Sequence, residues 1–356
     1  MKKIVKGIVK VRMKCLFIGD PHIRIENFDA YDKLTALISN IVKEHKISLI
    51  IVGGDVLHYH ERLHTLALNR ALDFLVQMGR MCRVICLVGN HDMINNQQFL
   101  TENHWMKHYK DRLPNVEIID TVRGFDIDGF RFMCCPYVYP GRFVEALDTY
   151  TDMNWQDADI IFAHQEFKGC RMGAIISETG DEWNPEWPQV VSGHIHDYQK
   201  PLPNIFYPGT PMQHSFGDKG DNIILLIDTE SGIKFTEIPT EVDKKKTIYS
   251  TIDDIGDVLD RGVRSTEKEK VKVSIKGTAE EFKVFKDSAE YKRLVKAGVT
   301  VAFKQDPKRR PEGEEHADQS DFYEILHSLL EKSGNKRVMS DYKSVFYDSS
   351  DFIVLE

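Results

Sequence analysis

Residues 47–58 read Ile-Ser-Leu-Ile-Ile-Val-Gly-Gly-Asp-Val-Leu-His. The run Leu49 to Val52 is too short for a helix, is rich in β-branched side chains and stops at two glycines, which marks a buried strand opening into a loop. The loop delivers an aspartate, Asp55. The same grammar recurs on both sides: Cys15 to Ile18 runs into Gly19-Asp20-Pro21-His22, and Arg83 to Val88 runs into Gly89-Asn90-His91-Asp92. Between these strands, residues 29–44 and 65–78 place apolar side chains at helical spacing. The layout is βαβαβ, an α/β fold with parallel strands.

Further strands are expected at residues 116–119, 124–127, 130–134, 160–163, 190–192, 204–207, 223–228 and 233–238, with a tight turn at Asp128-Gly129 and a hairpin around residues 229–232. The charged, aperiodic run Glu241 to Lys246 sets a domain boundary, giving a first domain at 1–240 and a smaller α+β domain at 241–356. In the second, Val271 to Ile275 and Val299 to Phe303 read as strands. Between them Thr278-Ala279-Glu280-Glu281 fits a capping box that opens a single helix to about Lys296. Residues 306–319 are charged and contain two prolines, which reads as a loop. In a last helix Phe322, Ile325, Leu326, Leu329 and Leu330 form an apolar stripe ending near Gly334.

The 356 residues are 42% hydrophobic and 29% charged, an ordinary globular composition that excludes a disordered or low-complexity chain. The net charge of -8 argues against a uniformly nucleic-acid-coating surface but leaves room for a local basic groove. No apolar run approaches the roughly 18 residues of a membrane helix, and the basic start lacks a signal-peptide pattern. The six cysteines show no paired spacing and are expected as reduced thiols. A cytoplasmic, non-secreted protein is expected, with the nucleus or a viral setting inside an infected host cell as variants.

Metal-ligand side chains gather in five segments at strand ends: Asp20-Pro21-His22, Gly54-Asp55, Gly89-Asn90-His91-Asp92, His164-Gln165 and Gly193-His194-Ile195-His196. Asp20 to Asp55 and Asp55 to Asn90 are each 35 residues apart, one strand-helix-strand step. Carboxyl ends of parallel strands converge on one crevice, so these groups can meet. Two aspartates, an asparagine and four histidines suit Mn²⁺, Fe²⁺ or Zn²⁺ better than Ca²⁺. Seven donors exceed one ion and divide into two sets of four if one carboxylate bridges, the arrangement used in phosphoryl displacement.

These blocks, in this order, resemble the DxH, GD, GNH(D/E), H and GHxH pattern of the calcineurin-like metallophosphoesterases. The resemblance implies a four-layer α/β/β/α sandwich with a capping domain. It implies two divalent ions, Mn²⁺ foremost: one on Asp20, His22, Asp55 and His196, the other on Asp55, Asn90, His164 and His194. A hydroxide bridging them would be the nucleophile, His91 would assist the leaving oxygen with Asp92 orienting it, and His58 would hold the substrate phosphate. The histidine three residues after Asp55, Gln165 after His164, and residues 207–217 (YPGTPMQHSFG) are similar to the SbcD-type DNA-repair nucleases. That likeness implies Mn-dependent 3′–5′ exonuclease and single-strand endonuclease activity, a homodimer, and a coiled-coil ABC-type ATPase partner in an SbcCD-type complex, with no membrane role. GDVLHYH departs from the GDxxDRG of protein phosphatases, and a histidine stands where purple acid phosphatases have a tyrosine.

The alternatives are a small-molecule phosphodiesterase or nucleotide phosphatase on the same metal centre, and a scaffold without hydrolysis. His60 and His64 read as a solvated helical face and stay outside the ligand set. His214 either frames the cleft or stabilises its loop. Lys304, Lys308, Arg309 and Arg310 read as a solvated loop, Trp183 and Trp187 as loop packing. The Phe322 to Leu330 stripe either docks on a partner, which is favoured, or packs on its own domain.

Overall fold

A computed structural model describes residues 13–305, apart from 61, 62, 128 and 231. The expected Phe322 to Leu330 helix, its Gly334 stop, the loop from residue 306 and the basic run Lys308 to Arg310 lie outside the described residues. In chain order the elements are β1 (Lys14–Ile18), α1 (Phe28–His45), β2 (Leu49–Val52), α2 (Thr65–Met81), β3 (Arg83–Leu87), β4 (Val116–Ile119), β5 (Arg123–Ile127), β6 (Phe130–Cys135), α3 (Phe143–Asp148), β7 (Ile160–His164), β8 (Arg171–Met172) and β9 (Ile175–Ile176). They continue with β10 (Gln189–Gly193), β11 (Gln199–Leu202), β12 (Ile205–Tyr207), β13 (Ile223–Asp228), β14 (Lys234–Pro239), β15 (Lys244–Thr251), α4 (Ile255–Asp260), β16 (Glu269–Gly277), α5 (Ala279–Phe285), α6 (Ala289–Lys296) and β17 (Thr300–Gln305).

Two six-stranded sheets form, ordered β14-β13-β1-β2-β3-β4 and β11-β12-β10-β7-β6-β5. Alternation along the strands explains why they stack. In β1, Leu16 and Ile18 face one core while Cys15 and Phe17 face another; in β2, Ile50 and Val52 oppose Leu49 and Ile51 in the same way. The first face is covered by α1 and α2, through Tyr31, Leu34, Ile38, Phe74 and Leu75. The second meets the other sheet, whose β7 contributes Ile160 and Phe162 inward and turns Ile161 and Ala163 outward beneath α3 and Trp155. Phe17 stacks on Phe162 across this interface with ring centroids 5.9 Å apart. The result is the four-layer α/β/β/α sandwich expected from the sequence, because strands buried on both faces need cover on both sides.

Pairing of β1 with β2, β2 with β3, and β7 with β10 is parallel. Each of these five strands therefore delivers its carboxyl end to a loop that bears ligand-type side chains.

A third, smaller sheet, β15-β16-β17, is wholly parallel and has its own core of Ile255, Val258, Val273, Ile275, Phe285 and Leu294. The structure differs from the sequence reading at two places. The charged run Glu241 to Lys246, read as aperiodic, ends inside a strand: Lys244 to Lys246 are the first residues of β15, and lysines suit an edge strand because they discourage pairing with another chain. The single helix from Thr278 to Lys296 is two helices. The capping box forms as expected, Thr278 N donating to Glu281 Oε2 (2.8 Å) and Glu281 N to Thr278 Oγ1 (3.2 Å), but Ser288 caps a new helix by accepting from Tyr291 N at 3.1 Å.

Candidate metal centre

The seven side chains expected as ligands meet at the carboxyl ends of β1, β2, β3, β7 and β10. Asp20, His22, Asp55, Asn90 and His164 are buried, His194 is half-buried and His196 lies at the rim. His22, Asp55 and His194 sit in the left-handed region, with φ of 50°, 50° and 78°. Non-glycine residues there store roughly 1–3 kcal/mol each and persist where the surroundings hold them. Two glycines allow the close approach: a Cβ on Gly89 would stand 2.2 Å from Asp55 Oδ1, and one on Gly193 2.4 Å from Asp20 Oδ1.

Asp55 divides the donors into two sets. Its Oδ1 stands 3.3 Å from His164 Nε2, which is 3.0 Å from Asn90 Oδ1; the latter is 2.9 Å from His194 Nδ1. Its Oδ2 stands 3.6 Å from His22 Nε2, which is 2.9 Å from His196 Nε2. Asp20 accepts from His194 N on Oδ1 (3.0 Å), while its buried Oδ2 has no hydrogen-bond partner.

The protons make the chemistry of this set plain. His164 Nδ1 lies 2.7 Å from the Gly53 carbonyl, which only accepts, so Nδ1 carries the hydrogen and Nε2 presents a lone pair to two more acceptors. Asn90 Nδ2 donates to Asn96 Oδ1 at 3.1 Å, which turns Oδ1 inward. Asp55 Oδ1 and Asn90 Oδ1 thus stand 3.3 and 3.0 Å from the His164 Nε2 lone pair, the spacing that ligands around one ion at about 2.1 Å present. The donor set is one that can hold divalent metal.

Without metal, a proton stands in. Burial alone would lower the His164 pKa, but Asp55, Asp20 and the Gly53 carbonyl outweigh it and hold it at about 9, while burial and the His164 charge bring His194 down to about 3. Asp55, which burial alone would raise, is kept well below the usual carboxylate range by His164 and His22. The folded pKa of His164 is raised above 6.5, so its contribution to stability is full below pH 6.5 and is lost as pH rises through about 9. Chelator-treated protein should therefore melt at progressively lower temperature across that window. Saturating Mn²⁺ should flatten the dependence, since the ion replaces the proton. A flat profile for the metal-free protein would contradict the assigned charge.

The three residues expected to act on substrate are placed differently. The His91 N–H donates to Asp55 Oδ1 (2.8 Å), and its ring Nδ1 meets the His58 carbonyl at 2.6 Å. That carbonyl fixes the hydrogen on Nδ1 and leaves Nε2 as the atom that can give or take a proton. The His58 ring meets Arg24 Nη1 at 3.0 Å and His22 Nδ1 at 3.4 Å; burial, then the Arg24 charge, hold it down at about 4, so it is neutral. Asp92 does not reach the His91 ring. Its carboxylate accepts from the N–H groups of Gly89 (3.1 Å), Val56 and Leu57 (3.3 Å each) and the Trp105 indole (2.8 Å), tying the two ligand loops together.

Among the residues set aside, His60 stacks on His91 (centroids 4.1 Å) and His64 caps α2 by accepting from Leu66 N at 3.2 Å. His214 frames the cleft: it is buried, and its Nε2 donates to the Asp20 carbonyl at 3.0 Å. Trp183 and Trp187 pack on each other and on Trp155. Arg24 had no signal in the sequence beyond being one basic residue in a loop.

The profile of the family described as calcineurin-like phosphoesterase matches residues 13–198. The chain is 45% identical over 283 residues to "Putative phosphoesterase 244L" of Invertebrate iridescent virus 6, covering 77% of this chain and 97% of that one. It is 38% identical over 339 residues to "Putative phosphoesterase 078R" of Invertebrate iridescent virus 3, covering 94% and 96%. A solved structure titled "GAP50 the anchor in the inner membrane complex of Plasmodium" overlays with a TM-score of 0.44 at 13% identity, covering 64% of this chain and 85% of that one. Among the described residues no helix is long and apolar enough to cross a membrane.

Proposed function

The chain belongs to the calcineurin-like phosphoesterase family, and on that footing we propose that it is a Mn²⁺-dependent DNA nuclease, hydrolysing phosphodiesters in recombination or repair. The observation that carries the hydrolytic reading is the grouping of ligand-type side chains on the two oxygens of Asp55, His164 Nε2 at 3.3 Å from one and His22 Nε2 at 3.6 Å from the other. Two bound cations would polarise the phosphoryl oxygens and lower the pKa of a water. Everything else falls to side chains. Asp20, His22, Asp55 and His196 would hold one ion; Asp55, Asn90, His164 and His194 the other. His91, its Nδ1 hydrogen held by the His58 carbonyl, would take up a proton from solvent on Nε2 and pass it to the departing oxygen. Asp92 keeps the Asp55 and Asn90 loops in register, a positioning role.

DNA as the substrate is supported by residues 207–217, the segment similar to SbcD-type nucleases, which folds against the site through His214. ATP-driven work would fall to a separate coiled-coil ATPase chain, and the nuclease would act as a homodimer. Relatives from two iridescent viruses favour an infected cell as the setting.

A second reading rests on a different observation: a cleft of about 490 Å³ lined by Arg171, Met172, His194, His196, Asp197 and Lys219 opens beside the ligands. That is the size of a small-ligand pocket, so a nucleotide-sized phosphodiester also fits. End-labelled single- and double-stranded DNA and a cyclic nucleotide, each with millimolar Mn²⁺, separate the two. Metal-dependent shortening of DNA is the expected result; intact DNA beside fast hydrolysis of the cyclic nucleotide moves the substrate to the second class.

A further inference from the structure

Arg24 and Lys245 come from opposite ends of the first 245 residues, yet both end on one atom. Arg24 Nη2 and Lys245 Nζ (2.9 Å) donate to the carbonyl oxygen of His214, and Arg24 Nη1 reaches His58. Lys245 lies on β15, the first strand of the small sheet, and is fixed there because its own N–H donates to Gln213 Oε1 at 2.7 Å. Both side chains are half-buried, open on one side to solvent.

Carboxylates meet their charge only in part. The carboxylate beside Arg24 is Glu26, 3.9 Å from Nε and largely exposed, and the buried Arg24 Nε has no hydrogen-bond partner. Among the described residues no carboxylate forms an ion pair with Lys245. Burial, then the Arg24 charge, hold Lys245 below the usual lysine range, against the pull of Asp218 and Asp243. Two half-buried cations that share one neutral acceptor make a place where a further anion is favoured. The pair lies next to the ligand set, because Arg24 Nη1 meets the His58 ring and that ring meets His22.

We propose that Arg24 and Lys245 form an anion site for a substrate phosphate flanking the one at the metal centre, so that the small sheet takes part in substrate recognition. This rests on the nucleic-acid reading, because occupying both positions takes a substrate with more than one phosphate, as a strand has. Arg24 also fixes the neutral His58 ring, so Lys245 is the cleaner probe.

The experiment compares Lys245→Gln and Lys245→Glu with the parent on single-stranded oligothymidylate and on bis(p-nitrophenyl) phosphate, a single diester, both with Mn²⁺. The kcat/KM ratio of oligonucleotide to diester should fall about tenfold in Lys245→Gln and further in Lys245→Glu. In a His91→Ala background, where turnover is slow, the salt dependence of oligonucleotide binding should lose about 0.7 of a unit of slope, one phosphate contact on a single strand. Circular dichroism and melting keep a folding defect separate. An unchanged ratio and slope, with the parent cutting DNA, overturns the anion site and leaves the nuclease reading standing. An equal loss on both substrates places the lysine at the scissile phosphate and overturns the flanking assignment. A parent that hydrolyses the diester but neither binds nor cuts DNA removes the nuclease reading, and this site with it.

Discussion

His91→Ala should lower kcat on DNA by about 10² to 10⁴ while leaving the metal content of the protein unchanged. The ring is not among the donors grouped around Asp55; only its backbone N–H touches that carboxylate, at 2.8 Å. What the substitution removes is an imidazole with its hydrogen pinned by the His58 carbonyl and its Nε2 free. Proton delivery matters most where the leaving oxygen is a poor one. The loss should therefore be far smaller on bis(p-nitrophenyl) phosphate, whose phenolate departs readily, than on DNA, whose alkoxide does not. Steady-state kinetics on both substrates, with metal analysis of the same samples, makes the test. Equal losses on the two substrates, or loss of metal, would show that His91 acts on the centre and not on the leaving group.

Asp55→Asn should reduce activity to background and bring the bound metal from about two ions per chain to below one. The asparagine keeps the size of the side chain but removes the negative charge that faces His164 at 3.3 Å and His22 at 3.6 Å, and places an amide where one of two acceptor oxygens stood. Because Asp55 is the residue on which the donors divide, one substitution disturbs both sets. His196→Ala, by contrast, removes a rim donor from one set only, and should leave one ion bound. The chelated Asp55→Asn protein should also lose the pH dependence of stability assigned to His164, since its largest charge partner is gone. Full metal occupancy in Asp55→Asn would remove the shared-carboxylate arrangement.

The first three strands and their helices were legible because buried parallel strands are continuous apolar runs of fixed length, and each ends in glycine and a polar loop. Their ligands were legible for a related reason. Asp20, Asp55 and Asn90 occupy equivalent positions one strand-helix step apart, and a glycine precedes each; a Cβ would strike a ligand at Gly54 (His164 Nδ1, 2.5 Å) and Gly89 (Asp55 Oδ1, 2.2 Å), and the Gly209 carbonyl at Gly19. What the sequence hid depends on partners far along the chain. β15 carries Lys244, Lys245 and Lys246, a composition suited to a linker, and only its pairing with Glu269–Gly277 makes it a strand. The break between α5 and α6 turns on Ser288, whose hydroxyl outcompetes helix continuation by accepting from Tyr291 N. Asp92 sits beside His91 in sequence, yet its carboxylate is taken by three backbone N–H groups and an indole. Arg24 is one arginine in a loop, and its importance appears only when His58, His214 and Lys245 are brought around it.

Titration of Mn²⁺ into chelator-treated protein, followed by bis(p-nitrophenyl) phosphate hydrolysis beside a His194→Ala control, decides whether five strand ends assemble a two-ion centre that hydrolyses phosphodiesters. Hydrolysis should rise to a plateau near two equivalents and be lost in the variant. Absence of hydrolysis at any Mn²⁺ concentration, or equal hydrolysis by His194→Ala, would rule such a centre out.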